Sequence, residues 1–437
     1  MVLPLLLIIV AGLAGGAVAY GTYAEWMRYP HGLEIILWSR RLQWPLVSLS
    51  LLACIVLMAM VISGRRRAWW LIGLAPVLAL FAHRFTIGPA AGRMTVAENP
   101  AFVAVADSKI PDEEWVVGLS FGDDHYAYPY ASLFSTPVVI QADHDKRMML
   151  IWSAYANRAL AVAIDQELKG RDLDIVSTPA NALLIYNSRH GQFINGLTGE
   201  TTHHERPIGF ATSLPIPTSK MRWKDWRLAH PDTKVFAQIG PTAVNAPTQP
   251  IQPAWPMPPM SLDHPASLRV AVVGVSQPIA IDSAQVTATP LNASADDVPV
   301  ALFREEADGP IRAFDRRTYD HSGKLDLILK LAPNLLHRRH PLAFFLDLSS
   351  NSGWNADGVC VDAPAEAKYL KGKKLEPVAV DDDLPLGVMK FWYPDLKWQI
   401  APAAPIAVDV ESETDTNHVA TRKPRRPRKP KPAPAAR

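Results

Sequence analysis

Short clusters of histidine, aspartate and arginine are the parts of this sequence whose side chains could bind a metal ion or take part in catalysis. His203-His204-Glu205 has the side chains of a metal site, but neighbouring residues of a strand point to opposite faces, so two adjacent histidines rarely bind one ion. Asp381-Asp382-Asp383 has oxygens for a hard cation such as calcium. It lacks the spaced ligands and the glycine of a calcium loop, and we expect an exposed acidic turn. The basic patch at residues 337–340 is typical of a solvated face.

Common catalytic motifs are not recognisable in the sequence. No Ser-His-Asp order can be singled out, and there is no glycine loop for phosphates and no zinc spacing. The sequence therefore names no catalytic residue, and we expect neither a cofactor nor a metal. This favours a non-enzymatic binding protein. The alternative is a metal- or ligand-binding enzyme whose site lies between two repeated domains.

A tryptophan motif occurs twice, at residues 219–236 and 388–398. Each copy combines tryptophan with a Pro-Asp turn and a closing apolar residue, which predicts two related domains in tandem. Seven residues of these copies are candidates for an interface or a structural motif: Trp223, Trp226, His230, Asp232, Trp392, Asp395 and Trp398. Core packing is the simpler role for most of the tryptophans, and we expect His230 to cap or brace the turn that follows the first pair.

Three apolar stretches predict membrane-spanning helices over about residues 3–24, 42–63 and 68–88. About 20 apolar helical residues are enough to cross the ~30 Å hydrocarbon core of a bilayer. The third stretch begins with Trp69-Trp70, which suits an interfacial aromatic belt, and it reaches full length only if Arg84 extends toward the headgroups. A cleaved signal peptide is the alternative for the first stretch, since Ala17-Val18-Ala19 resembles a cleavage site. No basic segment precedes that stretch, and this favours a retained helix.

The charges that flank the apolar stretches leave the orientation open. Arg65-Arg66-Arg67 in the short hairpin favours a cytoplasmic hairpin, which would place the following domains outside the cytoplasm. A plain count favours the opposite, because five arginines flank the other ends: Arg28, Arg40, Arg41, Arg84 and Arg93. We predict a multi-pass membrane protein whose soluble domains lie outside the cytoplasm.

The rest of the chain predicts β-structure interrupted by proline. Residues 111–238 form a first β-rich domain, in which residues 114–128 predict a hairpin that turns at Gly122. Residues 239–266 are a proline-rich linker whose Trp255 and Met257 we expect to pack on a neighbouring domain. Residues 267–400 form a second, diverged β-rich repeat. The fold class predicted is a membrane-anchored α+β protein with three N-terminal transmembrane helices and two tandem β-rich domains.

Residues 401–437 have the composition of a disordered tail. Seven basic residues lie near its end: Arg422, Lys423, Arg425, Arg426, Arg428, Lys429 and Lys431. Two interpretations stay open: a solvated tail, and an electrostatic contact with anionic lipid, a cell-wall polymer or an acidic partner. The net charge of +2 argues against a nucleic-acid partner for the whole chain. The expected partners are the lipid bilayer and other membrane proteins.

Several motifs of the first domain, taken in order, resemble a known family. They are Asp-Glu-Glu-Trp-Val-Val-Gly-Leu at 112–119, Ala-Tyr-Pro at 127–129, Leu-Leu-Ile-Tyr-Asn-Ser at 183–188, Leu-Thr-Gly-Glu at 197–200, and Trp-Lys-Asp-Trp-Arg-Leu-Ala-His-Pro-Asp-Thr at 223–233. This succession resembles the uncharacterised bacterial family called domain of unknown function 3179. The run Leu-Lys-Gly-Lys-Lys-Leu-Glu-Pro at 370–377 resembles the same family. The resemblance implies a β-rich domain that often carries an export signal or membrane anchor, and it implies no reaction. Together with the apolar stretches it predicts a multi-pass protein of a bacterial inner membrane, with its soluble domains periplasmic or otherwise extracytoplasmic.

The chain departs from that family at one segment. Family members commonly carry a Tyr-Cys-Pro-Leu-Cys-Gly-like segment, whose paired thiols suit a metal or redox site. It aligns with residues 152–157, where Ser153 and Ala156 stand in place of the cysteines. We therefore expect the chemistry of those thiols to be absent here. The two cysteines of the chain, Cys54 and Cys360, lie in an apolar stretch and a soluble domain, so we expect no disulfide.

Overall fold

Helices form the N-terminal part of the computed structural model, and β-sheets form the rest. The structure describes residues 2–64, 67–86, 90–144, 146–202, 216–237, 246–274, 278–295, 297–307, 309–319, 324–334 and 341–398. The helical part comprises α1 (Val2–Tyr20), α2 (Gly32–Arg41), α3 (Gln43–Ile62) and α4 (Ala75–Thr86). Helix α1 packs against both α3 and α4. Small side chains, Ala11 and Ala53, allow the close approach at the centre of this bundle.

Two of these helices, α1 and α3, are long and apolar enough to cross a membrane. The prediction of a third such helix over 68–88 is wrong. That stretch divides into a 3-10 segment, Ala68–Leu74, and the α-helix α4, and its apolar helical part covers only Trp69–Arg84. Pro76 explains the division. It lies in the first turn of α4, where proline is tolerated, whereas its missing backbone N–H would break the hydrogen bonding inside one continuous helix.

The first β-rich half, residues 96–236, contains three sheets. Its elements are β1 (Val96–Glu98), β2 (Phe102–Ala104), β3 (Trp115–Phe121), β4 (Asp124–Pro129), α5 (Tyr130–Ser135), β5 (Val138–Asp143), β6 (Lys146–Ser153), β7 (Arg158–Ala163), β8 (Leu173–Ser177), β9 (Leu184–Asn187), β10 (Gln192–Asn195), β11 (Thr201–Thr202), β12 (Thr218–Arg222), α6 (Trp223–Ala229) and β13 (Lys234–Phe236). The sheets have the orders β12-β3-β4-β13-β2, β1-β5-β6-β7 and β11-β10-β9-β8. The predicted hairpin is confirmed: β3 and β4 pair from Val116 with Pro129 to Phe121 with Asp124. Gly122 makes its turn at a φ of +64°.

The second β-rich half, residues 269–398, contains four sheets. Its elements are β14 (Arg269–Val273), β15 (Ile279–Asp282), β16 (Leu291–Ala295), β17 (Val298–Arg304), β18 (Ile311–Asp315), β19 (Arg317–Tyr319), β20 (Leu325–Ile328), β21 (Leu331–Pro333), β22 (Phe345–Asp347), β23 (Gly353–Trp354), β24 (Cys360–Asp362), β25 (Val380–Pro385), α7 (Leu386–Trp392) and β26 (Lys397–Trp398). The sheets have the orders β25-β14-β15-β26, β16-β17-β18, β19-β20 and β21-β22-β23-β24.

The two halves repeat the same arrangement of strands. In β12-β3-β4-β13 and in β25-β14-β15-β26 the successive pairs are antiparallel, antiparallel and parallel. A seven-residue helix, α6 or α7, follows the first strand of each order. The meander β5-β6-β7 corresponds to β16-β17-β18, and the meander of β8 to β11 corresponds to that of β21 to β24. Hairpin β19-β20 has no counterpart among the described strands of the first half.

The proline-rich segment between the halves is fixed to the first half. Asn181 holds it, because its side-chain oxygen accepts hydrogen bonds from the backbone N–H groups of Ala254 and Trp255 at 2.9 and 2.8 Å. Met257 packs among the apolar residues at the junction of the two halves, and the Trp255 ring meets the Tyr155 ring edge to face. The expected packing of Trp255 and Met257 is confirmed. Helices, segment and both halves belong to one compact unit.

Candidate functional site

The tryptophans of the first motif are structural. Trp223 and Trp226 are the buried side chains of α6, and the Trp226 indole N–H donates to the hydroxyl of Thr233 at 3.0 Å. The Trp226 ring lies directly on strand β3 at Gly118, where an added Cβ would come within 2.3 Å of the ring. Only glycine leaves room for this ring, so the motif stabilises the first half rather than offering a binding surface.

His230 braces the turn that follows α6. Its ring lies between the rings of Trp226 and His125, each 4.1 Å away between centroids. Burial and the neighbouring His125 lower the pKa of His230, which favours its neutral form. Asp232 is exposed in the same turn. Within the described ranges, no group of three or more histidine, cysteine, aspartate or glutamate side chains is placed to hold a metal ion.

The second motif connects the two halves. At the end of α7 the Trp392 indole N–H donates to the carbonyl oxygen of Ala180, and the Tyr393 hydroxyl donates to the carbonyl oxygen of Leu197, at 3.3 and 3.2 Å. Both acceptors belong to the first half. Asp395 is exposed, and the Trp398 ring lies 4.6 Å from the ring of His264. This motif therefore forms part of an intramolecular interface.

A charged cluster lies at the same junction, where β12 of the first half faces β25 of the second. The ammonium group of Lys220 is 2.6 Å from a carboxylate oxygen of Asp381, and its side chain is only 4% exposed. Lys220 also donates to the backbone carbonyl oxygens of Asn157 and Asp382. Arg158 approaches the other oxygen of Asp381 at 3.7 Å. Two backbone carbonyl oxygens and one carboxylate thus compensate the buried ammonium group.

The two aspartates that follow in β25 are also paired. A guanidinium N–H of Arg304 donates to Asp382 at 2.7 Å. The Asn157 amide donates to Asp383 at 3.1 Å, and the Arg269 guanidinium lies 3.8 Å from the same carboxylate. Burial raises the pKa of Asp383 despite these partners.

The expectation of an exposed acidic turn at residues 381–383 is therefore wrong. These residues belong to a strand that pairs with β14, and four cationic side chains surround it: Arg158, Lys220, Arg269 and Arg304. Carboxylate oxygens that a calcium ion would need are hydrogen-bonded or ion-paired within the protein. The cluster joins the two halves electrostatically and holds no open cation site among the described residues.

A buried polar chain extends from this cluster into the first half. Tyr130 is fully buried, and its hydroxyl donates to the side-chain oxygen of Asn157 at 2.8 Å, while the Asn157 amide reaches Asp383. Burial holds the pKa of Tyr130 well above its ordinary value, so this hydroxyl stays protonated and acts as a donor. Asn157 adopts a left-handed conformation with a φ of +49°, which asparagine tolerates better than most residues.

The segment that aligns with the cysteine-bearing segment of the resembled family lies beside this chain. Ser153 is buried, and its hydroxyl oxygen accepts a hydrogen bond from the backbone N–H of Leu183 at 3.0 Å. Ala156 is fully buried in the apolar cluster that contains Leu384 of the second half. The second half therefore covers this segment. Both residues contribute to packing, and neither is exposed to a substrate.

Small cavities occur where the helical part meets the first half and inside the first half. One, of about 40 Å³, is lined by Tyr23, Ala24, Glu25, Ala91, Ser177, Thr178 and Trp255. The other, of about 10 Å³, lies beside Trp152 and Ser153. Such volumes suit one or a few water molecules rather than an organic ligand, since one water needs about 10–15 Å³ by this measure.

The junction was not predictable from any motif. The run of three aspartates is visible in the sequence. The four cationic residues that pair with it are distant in sequence, and no motif marks them. Other predictions fall outside the described residues: His203-His204-Glu205, the basic patch at 337–340 and the basic residues of the tail. Cys54 and Cys360 are both free thiols, as expected.

Fold and site together define the class of this protein: an α+β chain with apolar N-terminal helices and two β-rich halves joined through a charged junction. No protein-family model, no curated protein and no solved structure matches the chain. The resemblance to domain of unknown function 3179 rests on the sequence motifs and stays a prediction.

Proposed function

We propose that this chain is a non-enzymatic integral membrane protein of a bacterial inner membrane. In this proposal its tandem β-rich domains bind partner proteins or contribute a subunit to a membrane complex. The apolar surfaces of α1 and α3 support membrane anchoring, because large side chains such as Leu13 and Ile62 point away from the protein. A soluble protein rarely exposes an apolar surface of this extent, whereas lipid covers it without cost.

The observation that carries the proposal is the fixed attachment of the helices to the first β-rich half. Ile36 and Leu37 of α2 pack against Leu184 and Phe193 of the sheet of β8 to β11. Arg40 adds a polar contact, since its guanidinium donates to Asp174 at 2.6 Å. A flexible tether would leave the β-rich halves free to turn, whereas this packing holds them in one orientation relative to the helices. A fixed orientation suits a subunit or scaffold that presents a surface to neighbouring membrane proteins.

The filled junction between the halves favours binding over catalysis. The alternative function, a metal- or ligand-binding enzyme with its site between the two repeats, requires convergent side chains that are open to a ligand. Aspartate, lysine and arginine side chains do converge there, but they pair with each other. The matching strand orders of the two halves support the proposal of a tandem duplication.

The first test is purification of the full chain from its native membrane in mild detergent, with mass spectrometry and metal analysis on the same fraction. We expect stoichiometric membrane partners. Ile36→Asp, which places a charge between α2 and the sheet, should release the β-rich halves and reduce co-purification. Glu34→Gln, on the exposed face of the same helix, is the control and should change nothing. A lone protein with a stoichiometric metal or small molecule would instead establish the alternative.

Periplasmic placement of the β-rich halves is a further part of the proposal. An exposed cysteine introduced by Asp357→Cys, in a background where Cys54 and Cys360 are replaced by alanine, reports it directly. A membrane-impermeant maleimide should label this residue in cells whose outer membrane alone is opened. Labelling that requires a broken inner membrane would place the halves in the cytoplasm.

We also propose that the basic tail contacts anionic lipid or polymer. Removing residues 422–437 should then weaken binding to anionic vesicles.

A further inference from the structure

Two adjacent arginines at the end of α2 face different surroundings. Arg40 turns toward the first β-rich half, where its guanidinium binds Asp174 and lies 4.7 Å from the ring centre of Tyr186. Arg41 is exposed, and its guanidinium lies 5.7 Å from the ring centre of Trp38. No carboxylate of the described residues pairs with Arg41. One arginine thus attaches the helix to protein, and the other presents its charge outward.

The outward face of α2 is aromatic as well as cationic. Trp38 is 54% exposed, and Trp44, at the start of α3, is 71% exposed. Ile36, on the other side of α2, packs against the sheet. Bulk water is an unfavourable environment for two indole rings, whereas the boundary between headgroups and acyl chains suits a ring with an N–H group beside a cation.

The position of α2 in the chain agrees with that boundary. It lies between the end of α1 at Tyr20 and the start of α3 at Gln43, the two helices that are long enough to cross a membrane. The end of α4 lies at the same level, since the ring of His83 is 4.8 Å from that of Tyr20. A bilayer that covers α1 and α3 therefore has its headgroups beside the exposed face of α2.

We propose that this face, formed by Trp38, Arg41 and Trp44, binds the phosphate of an anionic phospholipid. The inference rests on the proposed membrane anchoring. Guanidinium donors match phosphate oxygens, and the Trp38 ring lies within cation–π distance of this guanidinium, 5.7 Å from ring centre to the central carbon. Glu34 is the acidic residue on the same face, and His31 lies 3.5 Å from its carboxylate. The phosphate of an anionic lipid would give Arg41 the anionic partner that no described carboxylate provides.

The test uses the full chain in nanodiscs of phosphatidylcholine with or without phosphatidylglycerol, and native mass spectrometry counts the lipids retained. Wild type should retain phosphatidylglycerol in preference to phosphatidylcholine. Arg41→Gln should lower this preference about fivefold, the ratio that corresponds to ~1 kcal/mol for one basic residue near an anionic surface. Arg41→Lys should keep most of it. Arg189→Gln, at an arginine of the β-rich surface that pairs with Glu167, is the matched control and should leave the preference unchanged.

The inference and the proposed anchoring fail in different ways. Release of the chain from membranes by alkaline carbonate would overturn the anchoring itself. A chain that stays inserted, but whose Arg41→Gln variant keeps the wild-type lipid preference, would overturn only the inference. Measuring the lipid preference at increasing salt distinguishes recognition of the headgroup from recognition of the acyl chains. A contact between guanidinium and phosphate weakens as ionic strength rises, whereas an apolar contact does not. A preference for phosphatidylglycerol that does not change with salt would contradict the assignment to phosphate.

Discussion

Lys220 of the first half and Asp381 of the second lie 2.6 Å apart, between ammonium nitrogen and carboxylate oxygen. They come from β12 and β25, which occupy equivalent places in the two matching sheets. The junction therefore brings together corresponding edges of the two halves. A charge pair at such an edge also covers backbone groups that would otherwise be open to pairing with another chain.

Lys220→Ala should destabilise the protein by about 3 kcal/mol, because it leaves Asp381 largely buried with only the distant guanidinium of Arg158. Chemical denaturation in detergent, followed by tryptophan fluorescence, measures the change. Lys234→Ala is the control: it breaks the pair of Lys234 with Asp124, in which the two side chains are 47% and 39% exposed. That loss should stay below about 1 kcal/mol. Equal losses for the two variants would show that the junction pair contributes no more than a surface pair.

Asp383→Asn should remove part of the pH dependence of stability. Burial raises the folded-state pKa of Asp383 above its unfolded value, so the folded state binds the proton more tightly. Stability should therefore fall as pH rises from about 4 through the folded-state pKa, and remain lower above it. The amide carries no charge and tolerates the left-handed φ of +57° at this position.

Denaturation midpoints measured from pH 4 to pH 8 test this expectation, with Asp357→Asn at an exposed position as the control. The Asp383→Asn variant should be at least as stable as wild type at neutral pH. A loss of more than about 1 kcal/mol there would mean that the Arg269 pair outweighs the burial cost, contrary to the prediction.

Gly118→Val should destabilise the first half by about 2–3 kcal/mol, since the added side chain overlaps the Trp226 ring. When the two matching sheets are aligned by their strand pairing, Val272 of the second half corresponds to Gly118. When the two helices are aligned by their C-terminal ends, Met389 of α7 corresponds to Trp226. The double variant Gly118→Val with Trp226→Met should therefore recover much of the loss. A double variant no more stable than Gly118→Val alone would contradict the proposed equivalence of the halves.

Ile36→Ala should weaken the attachment of α2 to the sheet by about 2–4 kcal/mol, because the deleted side chain is fully buried and leaves a cavity. Hydrogen exchange should then speed up in α2 and in the facing strands β9 and β10, while the second half keeps its protection. Leu42→Ala, at an exposed position after α2, is the control. Faster exchange across the whole chain would show instead that the attachment and the β-rich core unfold together.

Local features were predictable because they depend on residues near one another in sequence. The β3-β4 hairpin follows from alternating strands around Gly122, and the burial of α1 and α3 in lipid is proposed from uninterrupted apolar runs. Pro76 marks the point where this reasoning failed for the third helix, although its effect is itself local. The aspartate run was visible, but its burial was not, because Arg158, Lys220, Arg269 and Arg304 reach it only through long-range strand pairing.

The sequence by itself determined that the tryptophan motif occurs twice, but the tertiary structure decided which residues correspond. At the end of α6 the backbone N–H of His230 donates to Trp226, and at the end of α7 that of Tyr393 donates to Met389, both at 2.8 Å. Trp392 therefore occupies the place of Ala229 and not that of Trp226. The backbone hydrogen bonds at the helix end decide which residues of the two helices correspond. The side chains at corresponding positions can differ in size when a neighbouring residue differs in the opposite direction, as Gly118 and Val272 do.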